Sequence, residues 1–178
     1  MLKSIKPEPL KESYMPICFA PIIDNKTEIL IIGTMPSIAS IKAQQYYGFK
    51  QNAFWKIIAQ IADEDLPDYP HKLAALRKLK LGLWDNLQYC EREGSLDSRI
   101  KNEIPNDFAS LLLKYPKIHK LLFNGQKSYQ FFKKYQPILL QKYNYAVLPS
   151  TSPANAGIKY EDKYRQWQQE IMTNVSGR

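Results

Sequence analysis

The sequence predicts an α/β protein: a three-layer α/β/α sandwich around a central, mostly parallel four-stranded sheet. Short apolar runs that end at turn residues recur along the chain. Segments with the periodicity of amphipathic helices lie between these runs. Strands that alternate with helices are joined by right-handed crossovers, which cover both faces of a parallel sheet with helices.

The strands are predicted from continuous apolar runs rather than from alternation. Strands of a parallel sheet are covered on both faces, so they are apolar throughout. The runs here end at turn residues such as glycine, asparagine and proline. The predicted strands are residues 28–33, 81–87, 119–124 and 144–149.

Helices are predicted where apolar residues recur at intervals of three and four. Phe54, Ile57 and Ile61 fall on one stripe of such a segment. Another segment begins with Pro105 and carries Asp107 in its first turn, as helix N-termini prefer. The predicted helices are residues 53–62, 70–79, 105–115, 126–135 and 160–172.

The 178 residues are expected to form a single domain, residues 1–178, because no stretch has the composition of an interdomain linker. We expect residues 1–25, which contain several prolines, to run extended over the surface, and residues 174–178 to fray. No apolar run reaches the roughly 18 residues that span a bilayer. The first residues lack the apolar segment of a secretory signal. These observations predict a cytoplasmic protein with no membrane contact.

Cysteine and histidine content argues against a resident metal. Cys18 and Cys90 cannot supply a four-cysteine zinc or iron–sulfur site, and neither lies in a C-x-x-C motif. His71 and His119 show no ligand spacing. We expect both cysteines to be reduced and packed, as is usual in the cytosol, and we predict no cofactor and no metal.

The charge indicates a polyanionic partner. The formal net charge is +8, an excess that steers a protein toward nucleic acid. Twelve tyrosines, seven phenylalanines and three tryptophans supply faces on which unstacked bases can stack. The alternative explanation is a basic protein whose lysines are simply scattered over its surface.

The turn after the first strand is a candidate binding site. Ligand sites of open α/β sheets lie beyond the carboxyl ends of the strands, and a glycine there lets the backbone approach a ligand closely. The turn consists of Gly33, Thr34, Met35, Pro36 and Ser37. It lacks the glycines and the lysine of a P-loop and does not match a dinucleotide-binding motif. A purely structural turn is the alternative interpretation.

Asn52 directly precedes the predicted helix 53–62. Asparagine at this position is a good helix N-cap. In the functional interpretation, its carboxamide orients a water molecule or binds the edge of a base. The two uses compete only partly, and both remain open at this point.

Polar residues follow two further strands at the same predicted edge of the sheet. The last strand leads into a loop that suits phosphate binding or is a plain Ser/Pro loop: Ser150, Thr151, Ser152, Pro153, Ala154 and Asn155. Asp85 is a candidate base or electrostatic group, with a hydrogen bond within the loop as the alternative. Arg92 either meets a phosphate or pairs with a neighbouring glutamate.

Taken in order, these motifs resemble the uracil-DNA glycosylase superfamily, and within it the hypoxanthine-DNA (deoxyinosine) glycosylase family. The resemblance covers about residues 16–170. A Gly-[Ser/Thr]-Phe-Pro-Ser turn is matched at 33–37, and Tyr-Tyr followed by Asn-x-Phe-Trp at 46–47 and 52–55. The other matches are Leu-Trp-Asp at 83–85, Cys-x-Arg-x-Gly-Ser-Leu-Asp-Ser at 90–98, Leu-Phe-Asn-Gly at 122–125 and Leu-Pro-Ser-Thr-Ser-Pro-Ala-Asn at 148–155.

The resemblance implies a monofunctional glycosylase that starts base excision repair. Such an enzyme flips a deaminated base out of damaged double-stranded or single-stranded DNA and hydrolyses its N-glycosidic bond. Hypoxanthine is the implied base, with uracil and xanthine as alternatives. By similarity, Asn52 is the catalytic amide, Tyr47 stacks on the flipped base, Phe54 and the turn 33–37 complete the base pocket, and the loop 150–155 contacts DNA.

The chain departs from the family pattern in the expected pocket wall. The family usually has His-Pro ahead of an arginine and the asparagine, whereas this chain has Phe49, Lys50 and Gln51. Met35 replaces the usual phenylalanine. These changes bear on base preference. A non-catalytic α/β module that binds nucleotides or nucleic acid is the alternative function. For the enzyme we expect a monomer, because one face must be free for DNA.

Overall fold

A computed structural model describes residues 18–173 of the chain, and its elements alternate largely as the sequence predicts. The strands are β1 (Ile29–Gly33), β2 (Leu81–Asp85), β3 (Leu87–Glu91), β4 (Lys101–Pro105), β5 (Lys120–Asn124) and β6 (Asn144–Leu148). The helices are α1 (Ile38–Ala43), α2 (Phe54–Ala62), α3 (Tyr69–Lys78), α4 (Phe108–Lys114), α5 (Gln126–Tyr135), α6 (Leu139–Lys142) and α7 (Tyr160–Met172). A 3₁₀ turn spans Asp97–Arg99.

The central sheet has the strand order β2-β1-β5-β6, and every neighbouring pair in it is parallel. The predicted parallel four-stranded sheet is therefore confirmed. Its register pairs Gly33 with Asp85 and Asn124 with Leu148. Because these residues end their strands, the loops that follow them meet at one edge of the sheet.

Side chains of β1 alternate between the two faces of the sheet. Ile29 and Ile31 pack in the cluster that contains residues of α2, α3 and α7. Leu30 and Ile32 pack in the cluster that contains residues of α4 and α5. Period-two alternation is the geometry of any strand, and here both faces meet helices. The arrangement confirms the predicted α/β/α layers.

The region after β2 differs from the prediction. The single predicted strand 81–87 is interrupted at Asn86, and Leu87 begins β3, which pairs antiparallel with β4 in a separate two-stranded sheet. The Asn86 amide donates to the Gly33 carbonyl at 2.9 Å and to the Ser128 carbonyl at 2.9 Å. These side-chain bonds lock the chain where it leaves the central sheet.

The helix predicted at 105–115 begins later, at Phe108. The carboxylate of Asp107 accepts a hydrogen bond from the backbone N–H of Ser110 at 3.0 Å, so Asp107 is the N-cap rather than a first-turn residue. Pro105 ends β4 instead of starting the helix. Helices α1 and α6 were not predicted.

The described part of the N-terminal segment is paired with the sheet. Backbone N–H groups of Ile22 and Leu83 each donate to the other residue's carbonyl at 2.9 Å. This bridge covers the outer edge of β2, which corrects the expectation that the segment only runs over the surface. Residues 1–17 and the predicted fraying of residues 174–178 lie outside the described residues. Among residues 18–173, no helix is both long and apolar enough to cross a membrane.

Candidate active site

A cavity of about 1040 Å³ opens at the carboxyl ends of the central strands. Its size lies at the upper end of the range of small-molecule sites. The predicted site residues that line it are Gly33, Thr34, Met35, Pro36, Ser37, Tyr47, Asn52, Asp85, Ser150, Thr151, Ser152, Pro153, Ala154 and Asn155. The structure therefore brings together residues that lie more than one hundred positions apart in the chain.

Gly33 forms part of the cavity wall, and a side chain at this position would crowd two neighbouring side chains. A Cβ built on Gly33 would lie 2.3 Å from Oδ1 of Asp85 and 3.2 Å from the hydroxyl of Tyr47. The first distance is far below van der Waals contact, so no other residue fits without displacing the carboxyl group. Asp85 and Tyr47 thus converge on the same small volume beside the glycine.

Hydrogen bonds from neighbouring residues hold the turn from Gly33 to Ser37 in place. Ser37 caps α1 by accepting a hydrogen bond from the backbone N–H of Ser40 at 3.1 Å. The guanidinium of Arg92 donates to the Pro36 carbonyl and, at 3.3 Å, to the carboxylate of Asp97. These contacts fix the backbone that faces the cavity.

Arg92 does not line the cavity, and its side chain is 1% exposed. This burial contradicts the interpretation that Arg92 meets a phosphate. The alternative, an ion pair, agrees better with the structure, although the partner is Asp97 rather than a glutamate. Arg92 therefore acts on the site through the turn that it supports.

Tyr47 presents its ring to the cavity, and Phe54 lies behind it. The two rings stack with centroids 4.0 Å apart and an interplanar angle of 24°. Phe54 is fully buried at the start of α2 and does not line the cavity, which corrects its expected place in the pocket wall. It instead backs the Tyr47 ring. The backbone of Tyr47 is left-handed, with φ of 52°.

Asn52 caps helix α2 and also lines the cavity. Its Oδ1 accepts a hydrogen bond from the backbone N–H of Phe54 at 3.0 Å, so the side chain caps the start of α2. The residue is also half-buried and lines the cavity. Among residues 18–173, its amide nitrogen has no hydrogen-bond partner, so that donor is available to a ligand.

The loop 150–155 is tied to the opposite wall and to the sheet. The Ala53 N–H donates to the Thr151 carbonyl at 3.0 Å. The Asn124 side chain both donates to Oγ1 of Thr151 and accepts from its backbone N–H, each at 2.9 Å. Helix α7 adds a bond from the Trp167 ring to the Pro149 carbonyl at 3.0 Å. Pro153 and Ala154 remain exposed at the outer side of the loop.

Several cavity residues were not predicted as site residues. Asn124 and Asp97 bring an amide and a carboxylate, and Phe49, Leu96 and Ile158 bring large apolar side chains that are 41%, 47% and 37% exposed. The position of Asn124 at the carboxyl end of a predicted strand was an available signal. Leu96 and Asp97 lie in the matched motif 90–98 and Phe49 in the expected pocket wall, so the resemblance carried a signal for these three. The sequence carries no comparable signal for Ile158.

The electrostatics of the site are set mainly by burial. The pKa of Asp85 is raised to about 7, chiefly by burial and also by the nearby Asp97, while Arg92 opposes the shift. Burial also raises the pKa of Tyr47, with Asp85 adding to the effect. The pKa of Asp97 is raised by burial against the lowering effects of a hydrogen bond from Thr34 and of Arg92. Among residues 18–173, no group of three or more His, Cys, Asp or Glu side chains could hold a metal ion.

The fold and the cavity define an α/β protein whose strand-end loops form a polar pocket walled by an aromatic ring. The chain belongs to the uracil DNA glycosylase superfamily, since the model of that family matches residues 20–175. This match confirms the resemblance seen in the sequence.

Named relatives and a solved structure agree with this family. Two proteins named hypoxanthine DNA glycosylase, from Methanosarcina barkeri and Methanosarcina acetivorans, are each 43% identical to this chain over 140 residues. The matches cover 77% of this chain and 86% of each relative. A solution NMR structure of a candidate uracil DNA glycosylase from M. acetivorans superposes with a TM-score of 0.76 at 37% identity, covering 89% of this chain and 97% of that one.

Proposed function

We propose that the protein is a DNA glycosylase that flips hypoxanthine out of DNA and hydrolyses its N-glycosidic bond, which begins base excision repair. The observation that carries this proposal is the Asn52 amide, fixed by its bond to Phe54 and facing a cavity that Tyr47 also lines. Family membership and the names of the two Methanosarcina relatives support hypoxanthine as the base.

A base must leave the duplex before its bond to the sugar can be reached. Extrusion costs least for a base that pairs poorly, such as a deaminated one. The cavity offers Tyr47 for stacking and the amides of Asn52 and Asn124 for the polar edge of the ring. Stacking of a base on an aromatic ring contributes about 1–3 kcal/mol.

Asn52 is proposed to act by position rather than as an acid or base, because an amide does not titrate. Cleavage passes through an oxocarbenium-like state, which water then attacks. Oδ1 has a second lone pair beyond the one used by the Phe54 N–H, so it can orient that water. Loss of one such aligned group typically lowers a rate ~10²–10³-fold.

DNA contact is assigned to the loop 150–155 and to the basic surface. Pro153 and Ala154 are exposed on this loop, and the net charge of +8 favours a polyanion. Damaged DNA, double-stranded or single-stranded, is the proposed substrate, and the protein is proposed to act as a monomer so that the cavity face stays open. The free thiols of Cys18 and Cys90 support a reducing, cytoplasmic setting.

Cleavage of lesion duplexes tests this proposal. Duplexes that carry inosine, uracil or xanthine are incubated with the protein, and abasic sites are then broken with alkali. We expect strand breaks, with inosine cleaved fastest. Tight binding with no breaks on any lesion would contradict the proposal and favour the non-catalytic binding module, whereas faster cleavage of uracil would overturn only the choice of base.

Variants of Asn52 test its role separately from folding. Asn52→Ala removes both the cap and the amide, whereas Asn52→Ser keeps a side chain that can cap a helix. Both are expected to lose ~10²-fold or more in single-turnover rate. Asn25→Ala, in an exposed turn outside the cavity, is the matched control. A near-native rate for Asn52→Ser would remove the amide from the mechanism.

A further inference from the structure

Among residues 18–173, the carboxyl group of Asp85 has no hydrogen-bond partner, although the residue is largely buried. The residue is 4% exposed and lines the cavity. Among residues 18–173, the only side-chain group that bonds to Asp85 is the Asn106 amide, and it donates to the backbone carbonyl rather than to the carboxyl group. The sequence alternative, in which Asp85 bonds within its own loop, is therefore contradicted. An unpartnered buried carboxylate costs several kcal/mol of desolvation, so such a group serves a ligand more readily than it serves stability.

The position of Asp85 follows from the sheet register. Asp85 pairs with Gly33 at the end of β2, and its Oδ1 lies where a side chain at position 33 would otherwise be. The Tyr47 hydroxyl reaches the same point. A flat ring that stacks on Tyr47 and rests over Gly33 therefore meets Asp85 with one edge.

The second carboxylate of the cavity is already engaged. Asp97 pairs with Arg92 at 3.3 Å, and Arg92 also binds the turn that contains Pro36. Asp97 therefore helps Arg92 to hold the turn 33–37. Of the two acidic groups that line the cavity wall in the described part of the chain, Asp85 is the one left to act on a ligand.

We propose that Asp85 is a catalytic acid, which in its protonated form donates to a ring nitrogen of the flipped purine as the glycosidic bond breaks. This proposal rests on the proposed function and deepens it. Purines leave less readily as anions than as neutral bases, so a proton donor at the ring assists departure. General acid catalysis typically contributes 10²–10⁴-fold.

The proton that Asp85 gives to the purine is replaced by one from the attacking water. The bond between C1′ and N9 breaks, and its electron pair moves into the purine. The Asp85 proton transfers to ring nitrogen N3 or N7, so hypoxanthine departs as a neutral base. Water then adds its oxygen to C1′ and gives its proton to the Asp85 carboxylate, which restores the acid.

The surroundings of Asp85 extend its protonated form up to about neutral pH. Burial and the charge of Asp97 raise its pKa, and Arg92 opposes them. Among residues 18–173, Asp85 also acts electrostatically on Tyr46, Tyr47 and Cys18, and burial raises the pKa of each of them, so all three are neutral at that pH. Asp97 and Arg92 are therefore the charges that set its titration. A carboxylic acid held neutral in an apolar site can donate a hydrogen bond at pH 7.

Single-turnover cleavage of an inosine duplex between pH 5.5 and 9 tests the proposal. The unmodified protein is expected to slow by up to tenfold per pH unit above neutrality. Asp85→Asn, which preserves size, should be at least ~10²-fold slower at pH 6 and should lack this descending limb. Asp65→Asn, an exposed aspartate outside the cavity, is the matched control and should follow the unmodified protein.

The outcomes separate this proposal from the proposed function. If the unmodified protein cleaves and Asp85→Asn keeps both the rate and the descending limb, the acid role is overturned while the glycosylase stands. If the unmodified protein cleaves no lesion, the proposed function itself fails. A uniform loss in Asp85→Asn with the limb retained would indicate a positioning role and also overturn the proposal. Asp85→Ala, checked by thermal melting, provides a second variant with the same expected result.

Discussion

Replacement of Asp85 by asparagine is expected to make the protein more stable at alkaline pH, although it removes a residue from the cavity. The folded pKa of Asp85 is about 7, whereas an unfolded aspartate titrates near 3.9. Between these values the unfolded carboxyl is ionised and the folded one is protonated, so the free energy of unfolding falls as pH rises. The loss is complete above the folded pKa.

The size of this effect follows from the separation of the two pKa values. A gap of about three units corresponds to about 4 kcal/mol, of which about 3 kcal/mol accrues between pH 5 and pH 8. Asparagine does not titrate, so Asp85→Asn escapes this loss. Any constant offset from the new amide is the same at both pH values and cancels in the comparison.

Urea denaturation at pH 5 and pH 8 measures the difference. The advantage of Asp85→Asn over the unmodified protein should grow by about 3 kcal/mol between the two pH values. Asp65→Asn, at an exposed position, should show no such growth. An advantage that is equal at both pH values would mean that Asp85 is ionised in the folded protein, and it would refute the reasoning.

Three further substitutions have defined outcomes. Gly33→Ala places a Cβ 2.3 Å from the Asp85 carboxyl, so in urea denaturation it should lower the free energy of unfolding by on the order of 1–3 kcal/mol, and it should slow cleavage. A stability and a rate close to those of the unmodified protein would contradict the close fit at this turn. Phe49→Ala removes a ring that is 41% exposed beside the cavity, and by anisotropy it should weaken binding to an inosine duplex roughly tenfold with little change in melting temperature; unchanged affinity would exclude contact with DNA. Arg92→Met breaks the buried contacts to Pro36 and Asp97 and should lower the free energy of unfolding by about 3 kcal/mol; a loss under 1 kcal/mol, typical of surface pairs, would show that the contacts do not hold the turn.

The central sheet could be predicted because its strands are buried on both faces. Continuous apolar runs end at Gly33 and Asn124, and the structure ends β1 and β5 at these residues. The hairpin of β3 and β4 could not be predicted in the same way. Residues of β4 such as Lys101 and Ile104 are exposed, so the strand has no apolar pattern, and its pairing depends on residues far along the chain.

Candidate site residues could be predicted from the sequence where they directly follow or end a predicted strand. The turn 33–37 and Asp85 end neighbouring strands, so both line the cavity. Two residues were misplaced for a shared reason. Phe54 lies on the inward face of α2 and Arg92 turns under the 33–37 loop, and side-chain direction of this kind is decided by tertiary packing. The pairing of Asn124 with Thr151 joins residues 27 positions apart, which no local motif encodes.

The bond from the Ala53 N–H to the Thr151 carbonyl joins the two walls of the cavity directly. Together with the two bonds between Asn124 and Thr151, it leaves the cleft preorganised before any ligand arrives. A cleft whose walls are joined in this way has little conformational freedom left to lose when a ligand binds. The conformational work of recognition then falls on the nucleic acid, so lesions in flexible or unpaired DNA are expected to be engaged faster than the same lesions in stiff duplex.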